Sequence, residues 1–173
     1  LLRASELNNH LREMNVAAAG LAHETRNPLN IVRGLAQMMA FGSYVAACAE
    51  VSVDGSKVKV HRIVAATNPG HAVNPAQIER QVSGSFVYGL SALFMQECTV
   101  KDGRIEQENF HTYPCMKLAQ MPKVESIVMP SGGFWGGIGE PTIGVVAPAV
   151  VNAVSLAIGK PVRHLPLKNQ KLV

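Results

Sequence analysis

Two stretches of this 173-residue chain carry residue types able to do chemistry, and they differ in kind. Near the C-terminal end, Gly132-Gly133-Phe134-Trp135-Gly136-Gly137-Ile138-Gly139-Glu140-Pro141 sets one carboxylate at the mouth of a glycine-dense loop, ahead of a long apolar run. Glycines let backbone N–H groups approach a ligand closely, and a loop presents its side chains into the space it lines. Glu140 is therefore a candidate base, and the plain alternative is a carboxylate that caps the turn before Pro141. Near the other end, His23-Glu24 sets an imidazole beside a carboxylate. Such a pair suits nucleophilic chemistry, because Glu24 can take the proton of one ring nitrogen while the other attacks phosphorus. Its plain alternative is a surface pair on a helix.

Elements must position these groups. Leu7, Leu11, Met14, Ala18 and Leu21 step by four, three, four and three, which predicts an amphipathic helix with a narrow heptad seam. Continued through Thr25, Pro28, Val32 and Leu35, the seam leaves His23 and Glu24 facing solvent, with a kink at Pro28. A seam this narrow asks for a partner helix, so self-association through it is expected. From Gly42 the period changes. Ser43 to Val53 and Lys57 to Ala66 read as strands around Asp54-Gly55, and Asn74-Pro75 opens a helix running to about Gln96. A second hairpin turns at Asp102-Gly103, Val124 to Met129 reads as a strand, and Pro148 is expected to open a last helix closed by Gly159. The fold class is α+β: an N-terminal amphipathic helix, then a mixed sheet with two packed helices.

Composition limits the function. At 47% hydrophobic the chain buries one sizeable core. Its net charge of +4 is scattered and aromatics make up 5%, so no nucleic-acid partner is expected. Cys48, Cys98 and Cys115 lie far apart without Cys-x-x-Cys spacing and read as buried thiols, not as metal or cluster ligands. His61, His71, His111 and His164 show no ligand spacing either, so no metal site of protein ligands is expected. Asn152 and Pro148 interrupt the richest apolar window, and no basic-then-apolar leader is visible. Neither a spanning helix nor a signal peptide is expected, and the compartment stays open.

Two resemblances add to this. Ala19-Gly20-Leu21-Ala22-His23-Glu24-Thr25-Arg26-Asn27-Pro28-Leu29-Asn30 resembles the phosphoacceptor box of sensor histidine kinases. Over residues 5–39 that implies a dimerisation and phosphotransfer helix with His23 as acceptor and Glu24 as its base, and residues 1–40 would form that unit. The boxes of an ATP-binding domain do not follow it. Further on, Gly42-Ser43-Tyr44-Val45-Ala46, Val60-His61-Arg62-Ile63-Val64, Val73-Asn74-Pro75, Gln81-Val82-Ser83-Gly84, Tyr88-Gly89-Leu90-Ser91, Asn109-Phe110-His111, Gly137-Ile138-Gly139-Glu140-Pro141 and Ala147-Pro148-Ala149-Val150 occur in one order. Together they resemble the C-terminal part of the molybdopterin-binding subunit of molybdenum hydroxylases, of the xanthine dehydrogenase and aldehyde oxidase superfamily and close to the isoquinoline 1-oxidoreductase type.

That second resemblance covers residues 41–168 and implies a molybdopterin-binding unit over 41–173. It implies an oxidoreductase that hydroxylates an N-heteroaromatic or aldehyde carbon with water-derived oxygen, with Glu140 as base. Gln81 then lies near the pterin, Gly84 packs behind it, and Gly137 and Gly139 line the loop. The partners implied are an iron–sulfur electron-transfer subunit and the rest of the molybdenum subunit, without which the chain is expected to be inactive. Departures from the family pattern are Ser85, where a second glycine is usual, and Asn68-Pro69 ahead of Gly70; either is expected to loosen the pterin pocket. Phe134 and Trp135 either line a substrate pocket or pack as core. For the whole chain three readings stay open: an oxidoreductase segment, a phosphotransfer module, or an artificial fusion joined near Met39-Ala40-Phe41-Gly42.

Overall fold

The computed structural model describes Asn9, Arg12, Glu13 and residues 31–172. Asn9, Arg12 and Glu13 are helical and exposed, and the remainder of the expected N-terminal helix, with Leu7, Leu11, Met14, Ala18, Leu21, His23 and Glu24, lies outside the described residues.

The first strand corrects the sequence reading. Val32–Ala40, expected as the end of a helix, is strand β1, and it pairs antiparallel with β2 (Ser43–Asp54) from Val32↔Val51 to Ala40↔Ser43. Between them Phe41 and Gly42 have φ of 51° and 75°, and two left-handed residues in a two-residue loop make the turn whose twist suits a hairpin. Residues 39–42, where one of the three open readings set a junction, form the turn between these two paired strands. The helical reading fails because tertiary packing decides. A Cβ on Gly34 would collide with the Ala149 carbonyl and the Ala153 nitrogen, so β1 lies backbone against helix.

β2 turns at Gly55 into β3 (Lys57–Asn68), which pairs in parallel with β6 (Lys123–Val128), giving a mixed sheet in the order β1-β2-β3-β6. The chain between β3 and β6 carries helix α1 (Pro75–Phe94) and a short hairpin, β4 (Val100–Lys101) with β5 (Arg104–Ile105). Asn74 Oδ1 accepts from the Gln77 N–H at 3.2 Å, which caps α1 as its sequence predicts.

Helix α2 (Pro141–Ile158) is the second correction. It opens seven residues before Pro148, which lies inside it, and ends at Gly159 with φ 69°. Pro148 removes the donor for the Gly144 carbonyl, and both residues sit on the exposed side of the helix, where water can replace it. By length and composition α2 could cross a membrane, which the reading of its apolar window did not anticipate. Here it is a core helix: Val145, Val146, Ala149, Val150, Ala153 and Val154 are buried against the sheet. α1 adds Val82, Phe86 and Leu90 to the same core, which also holds Val45, Ala47, Ala49 and Val51 of β2 and Ile63 and Ala65 of β3. Each large apolar side chain so buried contributes about 1.5–3 kcal/mol.

The opposite sheet face carries charge. Arg33 Nε of β1 meets Glu50 Oε1 of β2 at 3.0 Å, and Arg62 of β3 grips Glu125 of β6 through Nε at 3.0 Å and Nη2 at 2.6 Å. Lys123 Nζ adds a contact to Glu125 at 2.7 Å.

Candidate functional site

The glycine loop is held by backbone groups at one end of the sheet. Gly132 N–H donates to the Gly70 carbonyl, Gly136 N–H to Pro69 and Gly137 N–H to Phe41, each at 2.8 Å. Ser43, fully buried, donates its hydroxyl to the Gly137 carbonyl at 2.6 Å. Two glycines are required sterically: a Cβ on Gly70, whose φ is 76°, would collide with Phe134, and one on Gly136 with Ser43 Oγ. Asn68, one of the departures, supplies the acceptor of this corner, taking the Gly70 N–H at 2.9 Å and the Ser131 hydroxyl at 3.1 Å.

The loop delivers Glu140 to the N-cap position, just ahead of α2. The residue is exposed and its carboxylate makes no capping bond, so capping is not its role. Across from it, α1 presents Gln81 and Gly84, one turn apart on its exposed side. A Cβ on Gly139 would stand 3.9 Å from Gln81 Nε2, so Gln81, Gly139 and Glu140 share one place where α1 and α2 meet. Gly137 sits further back, against Phe41. Gly84 faces open space, and among the described residues no neighbour calls for a glycine there.

Ser85, the other departure, was not anticipated as a tie. It is buried, donates to the Val82 carbonyl at 2.7 Å and stands 2.6 Å from Thr142 Oγ1, fastening α1 to α2. Both departures, Ser85 and Asn68, are thus side chains engaged in hydrogen bonds within the fold. Phe134 is partly buried, edge-on to Tyr44 with ring centres 6.1 Å apart, while Trp135 is exposed and stacks on His71 at 4.4 Å. His61 pairs with Ser52 Oγ at 2.7 Å. Among the described residues no group of His, Cys, Asp and Glu is placed to hold a metal ion. Cys48 is buried, and burial pushes its thiol above the ordinary value; Cys98 and Cys115, expected to be buried as well, are exposed on the segment between α1 and β6.

Among the described residues the corner thus holds an exposed amide, an exposed carboxylate that makes no capping bond, and glycines that leave backbone open. The isoquinoline 1-oxidoreductase subunit beta of Brevundimonas diminuta is 28% identical over 137 residues, 78% of this chain and 18% of that protein. A putative xanthine dehydrogenase molybdenum-binding subunit of Escherichia coli (strain K12) is 31% identical over 123 residues, 67% of this chain and 16% of that protein. The fold matches quinoline 2-oxidoreductase from Pseudomonas putida 86 with a TM-score of 0.62 at 20% identity, over 72% of this chain and 17% of that one. This chain thus spans less than a fifth of the length of each.

The molybdopterin cofactor-binding domain family matches residues 6–122, which takes in Gln81 and Gly84 and ends before Glu140. Because the match begins at residue 6, it runs through the segment read as a phosphoacceptor helix and lends that reading no support. With the sheet, the two helices and their shared corner in place, this chain belongs to the molybdopterin cofactor-binding domain family.

Proposed function

We propose that this chain is the cofactor-facing segment of a molybdenum hydroxylase, acting on an N-heteroaromatic or aldehyde carbon, with Glu140 as general base. The observation that carries this reading is the meeting of Gln81, Gly139 and the uncapped Glu140 where α1 reaches the start of α2. The residues fit the group: Gln81 offers an amide donor and acceptor for a pterin edge, and Gly84 and Gly139 keep side chains out of its way. When bound, the molybdenum–pterin group supplies the two-electron oxidation that places a water-derived oxygen on the substrate carbon. Glu140 takes the proton lost from that water on a carboxylate oxygen.

We take the cofactor-binding unit to include β1, which pairs with β2, and to run through 173. The rest of the molybdenum subunit completes the site, and an iron–sulfur subunit receives the electrons. Alone, the 173-residue chain binds little or no molybdenum, since most of the subunit that would enclose the group is absent from it.

In a complete molybdenum subunit carrying these residues, Glu140→Gln keeps shape and removes the base. Molybdenum content by elemental analysis should be unchanged and turnover should fall by about two orders of magnitude. Turnover equal to the parent's would overturn the assignment.

A further inference from the structure

We propose that Ser43 is a positioning residue for Glu140, fixing the glycine loop from behind through one peptide unit. The proposal rests on the reading of Glu140 as a base. Five of the eight residues from 132 to 139 are glycine, so the loop's own sequence leaves it freer than almost any other eight-residue stretch. Something outside the loop must hold it. Gly137 is held on both sides: its N–H donates to the Phe41 carbonyl at 2.8 Å and its carbonyl accepts the Ser43 hydroxyl at 2.6 Å.

Both partners belong to the turn of the β1–β2 hairpin, where Phe41 takes a left-handed backbone that the tight turn demands. Ser43 has no exposed surface, and a Cβ on Gly136 would strike its Oγ, so the hydroxyl is enclosed by the loop it holds. Only Ile138 and Gly139 separate this grip from Glu140. The sheet does not need the hydroxyl, because Ser43 pairs with Ala40 through its backbone. Loss of the hydroxyl should therefore free the loop while the strands stay intact, and a carboxylate displaced by about 1 Å loses up to a hundredfold in rate.

The test begins on the full 173-residue chain, where Trp135 is the single tryptophan and lies within the loop. Ser43→Ala should raise amide hydrogen exchange across residues 136–140 about tenfold and widen the local motion of Trp135 in time-resolved anisotropy. Exchange across 43–68 should hold. Ser43→Cys, which keeps the volume and a weak donor, should fall between parent and alanine variant; it carries the same comparisons if the alanine variant does not fold. In a complete subunit, Ser43→Ala should lower kcat at least about tenfold with KM and molybdenum content kept.

Exchange and anisotropy equal to the parent's, loosening spread over the strands as well, or an unchanged kcat would each overturn the proposal. An unchanged kcat in Ser43→Ala beside a collapsed one in Glu140→Gln removes the role of Ser43 alone. Full turnover in Glu140→Gln removes the base assignment and this proposal with it.

Discussion

Ser85 Oγ of α1 and Thr142 Oγ1 of α2 stand 2.6 Å apart in the buried corner between the helices, one turn from Gln81 and two residues from Glu140. Since the Ser85 proton goes to the Val82 carbonyl, Thr142 is the donor. Thr142→Val strands a buried acceptor and should cost about 1–3 kcal/mol, as should Ser85→Ala from the other side. The double variant should cost less than the two together, because neither group is then left waiting for the other. Urea unfolding of all four proteins reads this directly, and strict additivity would mean that the pair is not coupled.

Two glycines predict opposite outcomes. Gly34→Ala drives a methyl into the backbone of α2 at Ala149 and Ala153 and should destabilise the chain by about 3 kcal/mol or prevent folding. Gly84→Ala meets open space in the middle of a helix and should stabilise it by about 0.5–1 kcal/mol. In a complete subunit the same Gly84→Ala should lower molybdenum content. A stabilised variant with normal cofactor loading would show that Gly84 is not kept open for a ligand.

The charged face of the sheet predicts an acid limb. Hydrogen bonds from Arg62 first and Lys123 second hold the Glu125 carboxyl down to about 2, below its ordinary 4.5. Its folded value lies below its unfolded one, so its contribution is complete above about pH 4.5 and drains away as pH falls toward 2. Glu125→Gln should therefore be less stable than the parent at pH 7, and the gap should close across that window. A gap of constant size from pH 7 to 2 would contradict it.

Much of the sheet was legible because its punctuation is local. Asp54-Gly55, Asn74-Pro75 and Asp102-Gly103 mark turns and caps through their own backbone preferences. β1 was not, because Leu35, Ala36, Met38 and Met39 are good helix formers in phase with the seam before them. The signal that would have found it is alternation: Gly34, Ala36 and Met38 face the helices while Arg33, Leu35, Gln37 and Met39 face away. The start of α2 was missed for a related reason, since Thr142, Ile143, Val145 and Val146 favour strands and only burial against the sheet makes them helical. Glu140, Gln81 and Gly139 were named from the sequence; that they share a corner, and that Ser43, Ser85 and Asn68 build it, needed three dimensions.

The charges that cross the sheet have a consequence for how the chain finds its pairing. Ala46, Ala47 and Ala49 of β2 lie against Ala66, Ala65 and Ile63 of β3, and alanines fit nearly as well when a strand slides by two residues. Shape alone says little about alignment there. Sliding β3 by two would draw Arg62 away from Glu50 and Glu125 together, leaving each carboxylate one basic partner fewer in a half-buried layer. The ion pairs thus act as a vernier, contributing modestly to the strength of the sheet and decisively to which of its near-equivalent alignments survives.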